Sequence, residues 1–387
     1  MILPLHPQPL PGEILSSWMV RLAFANGYPL HTFYSGLLGY KASIWNRDID
    51  RHAPLALLEC LSHSSGQSVS NVQALTLQSY EGVLCERFPI SGCAQWILPV
   101  GVFHRTRSRA GMQFCSLCLR GDLTPYYRRS WRLALYAICE HHKCVMHDRC
   151  PSCKATIAYH RHGIGRGRVV QELAFLHCHT CQFALIDTKP VYLRSWTDSL
   201  SLDVLLTTIS SFEQGLWGSH QLSVLPCGIS YFSGLRILVG VIMGHYGYRL
   251  RCRLSDILGV PVGISQRRHC IEFESLDAIE RLKLLLSVLW LLGDWPKRFV
   301  SLCREVGLTR YQLGSTSLAL PFWLASAADE LKDQRAYMPN IDEVGAVERY
   351  MVTHNKPVNE DSIRKVLGLS KERGRLVWSL LRNHSGV

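Results

Sequence analysis

Long hydrophobic runs are missing from this chain of 387 residues. The greasiest stretches, residues 235–243 and 282–292, are interrupted by Arg236 and Lys283. Both fall short of the roughly 20 apolar residues that a membrane helix needs. They read as core helices, and no membrane partner is expected. Residues 1–11 hold four prolines and no apolar run, so no secretory leader is expected and a reducing cytoplasm is the expected setting. Low-complexity tracts and fixed-period repeats are absent as well, so no solenoid is expected. The signatures of common catalysts are missing too. There is no H-E-x-x-H, no Walker Gly-Lys-Ser/Thr and no G-x-S-x-G. The glycines between 163 and 167 lack the flanking strand and helix of a phosphate cradle. No enzymatic activity is expected.

Cysteine is what the chain has in plenty, with 15. Eight ligand residues fall into four two-residue-spaced pairs: Cys115–Cys118, Cys139–His142, Cys150–Cys153 and Cys178–Cys181. A C-x-x-C turn aims two sulfurs at one point, and two such turns complete a tetrahedral shell. The cofactor expectation is therefore two structural Zn2+ ions, one held by three cysteines and a histidine and one by four cysteines. With four protein ligands each, neither ion would keep a position for a reactive water. Disulfides are the rival reading, disfavoured in a reducing compartment. Spare ligands leave two points open: His141 can replace His142, and the pairs can interleave in space. Cys144 is not expected to be a ligand.

Charge is concentrated where the ligands are. The chain carries +12 in all, and residues 101–170 hold 13 Lys and Arg against Asp122, Glu140 and Asp148. Such an excess on a metal-pinned segment suits phosphate. Arg105, Arg107, Arg109, Arg128, Arg129, Arg132, Lys154, Arg161, Arg166 and Arg168 are the candidate nucleic-acid contacts there. The arginine- and glycine-rich stretch 159–168 reads either as a mobile basic finger or as a solvent loop.

Periodicity predicts a mainly α protein. Residues 13–26 show one apolar face, with Ile14, Leu15, Trp18, Met19, Leu22 and Ala23. Short helices follow at 30–38, 54–62 and 69–80, the last two suggesting a helix-turn-helix-like pair. Residues 128–141 are predicted helical. Beyond residue 191 helices are predicted at 199–213, 231–244, 276–293, 297–306, 318–331, 342–354, 360–367 and 371–383. Asn359 would cap the helix at 360 and Gly368 would make the turn into a basic second helix. Lys371, Arg373 and Arg375 would lie where base-reading side chains lie in helix-turn-helix proteins. Trp290, Trp295 and Trp323 read as core residues before interface anchors. The expected regions are an amino-terminal helical part (1–110), a double zinc module (111–190), a helical array (191–340) and a terminal helix-turn-helix-like pair (341–387).

The order of motifs resembles one known family. Pro9-Leu-Pro-Gly-Glu-Ile-Leu-Ser-Ser-Trp-Met-Val-Arg-Leu-Ala23 is similar to the amino-terminal signature of the TniQ/TnsD proteins of bacterial transposons. Phe114-Cys-Ser-Leu-Cys118, Arg129-Ser-Trp-Arg-Leu133, Cys139-Glu-His-His142 and Arg149-Cys-Pro-Ser-Cys153 follow in family order. Gly293-Asp-Trp-Pro-Lys-Arg-Phe299 resembles an element of longer members. The resemblance implies target-site selection in transposition. It implies a link between a Cascade-type guide-RNA complex and an AAA+ ATPase regulator, and often a homodimer. The alternative it implies is a TnsD-like protein that binds attachment-site DNA directly.

Overall fold

The computed structural model describes residues 2–103, 106–162, 171–193, 196, 198–214, 228–262, 272–314, 320–331, 341–369 and 371–384. It is mainly helical. Its described strands are the two-residue pair β1 (Val102–Phe103) and β2 (Thr106–Arg107), antiparallel to each other.

The amino-terminal signature folds as a strap over one helix. Helix α1 (Leu15–Ala25) buries every residue from Leu15 to Ala23. Glu13, fully buried, accepts from the backbone N–H of Leu10 (3.0 Å) and from Ser17 Oγ (2.8 Å), and pairs with Arg21 at 2.6 Å. Burial raises the Glu13 carboxyl above its ordinary range, and the Arg21 charge works against that rise. Trp18 donates its indole N–H to the carbonyl of Pro7 at 2.8 Å, which ties the proline-rich start down.

Around α1 lie short pieces. These are α2 (Leu30–Thr32), a π-helical turn at Phe33–Leu37, α3 (Leu55–Ser65), α4 (Val69–Gln73) and a 3-10 turn at Leu77–Tyr80. The helix expected at 69–80 is thus broken. Thr76 caps the second piece by accepting from the N–H of Gln78, and Leu77 N–H turns to the carbonyl of Asp50.

Among the described residues of 112–191, isolated bridges do more than regular elements to hold the chain, apart from α5 (Ser116–Gly121) and α6 (Gln171–Leu176). The helix expected at 128–141 shrinks to a 3-10 turn at Arg129–Arg132. Gln113 explains the shortfall. Its buried side-chain amide donates to the carbonyls of Trp131 (3.3 Å), Leu133 (3.1 Å) and Tyr136 (3.1 Å). Those carbonyls find partners without a helix, so none is needed to satisfy them.

The helical array comprises α7 (Ser199–Gln214), α8 (Gly228–Met243), α9 (Tyr248–Leu258), α10 (Ala278–Leu292), α11 (Lys297–Val306), α12 (Arg310–Gly314) and α13 (Phe322–Ala328). Helix α9 escaped the periodicity reading; its sequence is too basic to stand out as apolar. Helix α10 packs on α7 and α8. At Gly234 of α8 a Cβ would lie 2.1 Å from the ring of Trp323, so glycine lets α13 close onto the backbone. Trp323, a core residue as expected, also meets Trp295 edge-on at 4.9 Å; Trp290 and Trp295 are partly buried against that core.

One hydrophobic core runs from Leu3 to Leu331 and takes in the amino-terminal helices, the ligand-rich segment and the array. Polar ties cross it. Arg281 of α10, fully buried, donates to Gln113 Oε1 at 2.8 Å. Glu274 accepts from the N–H of Trp96 (2.9 Å) and pairs with Arg236 of α8 (3.0 Å). The last three helices, α14 (Ile341–Thr353), α15 (Glu360–Leu367) and α16 (Lys371–His384), carry a separate small core of Ile363, Leu369, Val377 and Leu381. Asn359 Oδ1 accepts from the N–H of Ser362 at 2.9 Å, and Gly368 turns with φ 64°, both as the sequence predicts. No single described helix is long and apolar enough to cross a membrane.

Candidate metal centre

Three of the four ligand pairs are built to one plan. In each, the residue after the second ligand adopts a left-handed conformation: Lys143 (φ 53°), Lys154 (φ 59°) and Gln182 (φ 63°). That residue donates its N–H back to the carbonyl of the first ligand, at 2.9 Å (Cys139), 3.0 Å (Cys150) and 3.0 Å (Cys178). The first ligand's own N–H then bonds the carbonyl of Cys144, Ala155 or Phe183. This closed knuckle fixes both ligand side chains toward one point. The fourth pair is different. Cys115 is the cap residue of α5 and Cys118 lies in its first turn.

The pairs combine in sequence order. Cys115, Cys118, Cys139 and His142 form one group, and Cys150, Cys153, Cys178 and Cys181 the other, with ligand atoms in each group within 4.8 Å of one another. In the first, Cys118 and Cys139 sulfurs are 3.6 Å apart, and His142 Nδ1 lies 3.6, 3.3 and 3.6 Å from Cys115, Cys118 and Cys139. In the second, Cys150–Cys181 and Cys153–Cys178 are both 3.6 Å. Ligands at about 2.3 Å from a tetrahedral zinc are separated by about 3.8 Å, so both groups fit such an ion. The pairs do not interleave, and His142 is the inward histidine. His141 is 63% exposed and lies 3.7 Å from Glu140.

Cys144 sits beside the first group, buried, its sulfur 3.6 Å from Cys115 alone among the ligands. Crowded thiols cannot all ionise unaided. Hydrogen bonds from Cys118, Cys139 and Cys144 hold the Cys115 thiol low, and Cys115 in turn pushes Cys118 and Cys144 up. In the second group burial lifts Cys150 to about 12, whereas the N–H of Phe183 helps lower Cys181 to about 6. A divalent cation removes the mutual repulsion and displaces the protons.

The arginines expected to face a nucleic acid divide sharply. Arg132 is fully buried and bonds Asp48 at 2.7 Å and Asp50 at 3.2 Å, so its charge is spent inside the protein. That corrects its expected place on the surface. Arg128 is paired with Asp122 at 2.7 Å and packs over Tyr126 and Trp131. Arg129 donates to the carbonyl of Ala74 and to Ser79. Spacing along the chain gives no hint of these partners, because Asp48 and Asp50 lie more than 80 residues away. Arg109 is exposed but paired with Glu272 at 3.1 Å, and Arg161 is half-buried. Lys154, Lys371 and Arg375 are exposed. Arg105, Arg166 and Arg168 lie outside the described residues, as do the side chains of Arg107 and Arg373.

Comparison with known proteins returned one family. Residues 4–146 match TniQ, and the chain carries a TniQ domain over that span, which covers α1 and the whole first ligand group. The TniQ family implies a role in transposition target selection. No curated protein matches the chain.

Proposed function

We propose that this TniQ-domain protein is a non-enzymatic adapter that links a Cascade-type guide-RNA complex to an AAA+ regulator of transposition, and that it acts as a homodimer. The observation that carries the reading is the TniQ match at residues 4–146 together with ligand groups that are already complete. Four protein ligands leave an ion no position at which to activate water, so the groups serve the fold. Zinc is the ion this reading assigns to both. When bound, it supplies folding energy to a segment poor in regular elements. The helical array then offers a surface for docking.

A second reading, direct recognition of attachment-site DNA, is favoured by the α15–α16 pair. Its second helix begins with the exposed Lys371, and Arg375 lies one turn further on. The two readings separate in one experiment. Tagged protein is recovered from cells that co-express the neighbouring transposon and guide-RNA genes, and the eluate is assayed for zinc. A stoichiometric guide-RNA complex with two zincs per chain supports the adapter. Zinc without that complex, and tight binding of one DNA sequence with a steep salt dependence, supports the direct reader.

A further inference from the structure

A fifth donor stands at the first ligand group. Cys144 is buried, with its sulfur 3.6 Å from Cys115, the same separation as that between the ligand sulfurs of Cys118 and Cys139. The closed knuckle puts it there. The carbonyl of Cys144 accepts the N–H of Cys139 at 2.8 Å, and an antiparallel bridge joins Ile138 to Val145 just outside that bond. The matching position in the other two knuckles is held by Ala155 and Phe183, whose carbonyls accept the same bond from Cys150 and Cys178. Neither side chain offers a metal donor, so the turn itself has no need of a thiol. The sulfur of Cys144 is therefore additional to the knuckle and not part of its closure.

The two donors nearest the fourth position differ in kind. His142 brings an imidazole nitrogen that lies 3.3–3.6 Å from all three cysteine sulfurs, and the residue is only half-buried. Cys144 brings a buried thiol that approaches one of the three. As folded, the imidazole stands in the shell and the thiol just outside it. Exchange needs a change of side-chain rotamer, which carries a cysteine sulfur by about 3 Å while the backbone bonds of the knuckle stay closed. Imidazole suits zinc, whereas soft thiolate ligands favour softer ions.

We propose that the first group is a five-donor site in which Cys144 replaces His142 when the ion is a soft, thiophilic cation such as cadmium. The shell is then four thiolates, from Cys115, Cys118, Cys139 and Cys144, and the Cys144 proton leaves to solvent as its sulfur binds. Either arrangement gives four protein ligands, so the group stays structural in both. Exchange presupposes the metal-binding reading of this group but not the adapter role.

The test loads the full chain with cadmium and counts sulfur ligands by cadmium NMR, in which each added thiolate moves the resonance downfield. The unaltered protein should show two resonances, both in the four-sulfur range. Cys144→Ser should move one of them to the range of three sulfurs and one nitrogen, while the same variant loaded with zinc keeps two metals and its melting temperature. His142→Ala should keep two cadmium equivalents, and His142→Ala combined with Cys144→Ser should keep one. The spectrum of the unaltered chain decides alone if the double variant fails to fold. A resonance of three sulfurs and one nitrogen in the unaltered protein overturns the proposal, and so does a Cys144→Ser spectrum identical to it. Uptake of a single equivalent of either metal by the unaltered chain, with the first-group cysteines still open to alkylation, overturns the metal-binding reading of the group and the exchange with it. Recovery of the guide-RNA complex is a separate result, so the adapter role and the exchange fail independently.

Discussion

Arg132 is the residue whose role differs most from its apparent chemistry. In sequence it is one of 13 basic residues in a charged stretch; in the fold it is a buried cation between Asp48 and Asp50. Removing one partner of a buried ion pair leaves uncompensated charge and costs about 3–5 kcal/mol. Arg132→Met should therefore lower unfolding free energy by that order in a denaturant titration. A loss of nucleic-acid affinity with stability intact would contradict the structural role. Lys143 and Lys154 make the opposite case. Each holds a left-handed conformation that costs a residue with a Cβ about 1–2 kcal/mol. Lys143→Gly should keep the zinc content and raise the melting temperature slightly; a fall in bound zinc would show that the lysine side chain matters to the ligand group. The two Cys/His groups were legible because the spacing within each pair is local. The choice of His142 over His141 was not, since it depends on which way the knuckle turns.

At the level of elements, the two ligand groups differ in exposure. The first is built from buried cysteines, while Cys153 and Cys181 of the second lie at the surface. A chelator reaches exposed ligands first, so metal release should be biphasic, one equivalent fast and one slow. Single-phase release of both would mean that the groups open together. Acid should act in the same order of access. Ligand thiols must be deprotonated to bind, so metal is held above the range in which protons compete and is lost as pH falls. Helix positions beyond residue 191 were largely legible: 297–306 and 360–367 match their predicted bounds, and α8 and α10 lie within a few residues of theirs. The prediction failed at 128–141, where an amide from Gln113 took over the carbonyls, and at α9, where exposed arginines masked three well-spaced leucines. Periodicity sees only the chain's own pattern, not a partner arriving from elsewhere.

For the whole molecule, the distribution of cores sets what can be cut away. The small core of α14–α16 stands apart from the one that joins residues 3 to 331. A chain ended after Leu331 should retain two metals and its main unfolding transition in calorimetry. Loss of that transition would show that the last helices support the rest. Within the larger core the opposite holds. Arg281 reaches Gln113 across 168 positions of sequence, and Glu274 reaches Trp96 across 178. Contacts that distant close late and at an entropic cost, so they depend on a partner surface that already exists. During synthesis the array emerges after residues 112–191 and must land on that segment, which bound metal would already have shaped. If the two groups bind metal as proposed, its supply becomes a quality gate for the whole larger core and not for the cysteine-rich segment alone. In a metal-starved cell the array should be as vulnerable as the cysteine-rich segment, and a protease should cut residues 228–331 of stripped protein as readily as residues 112–191.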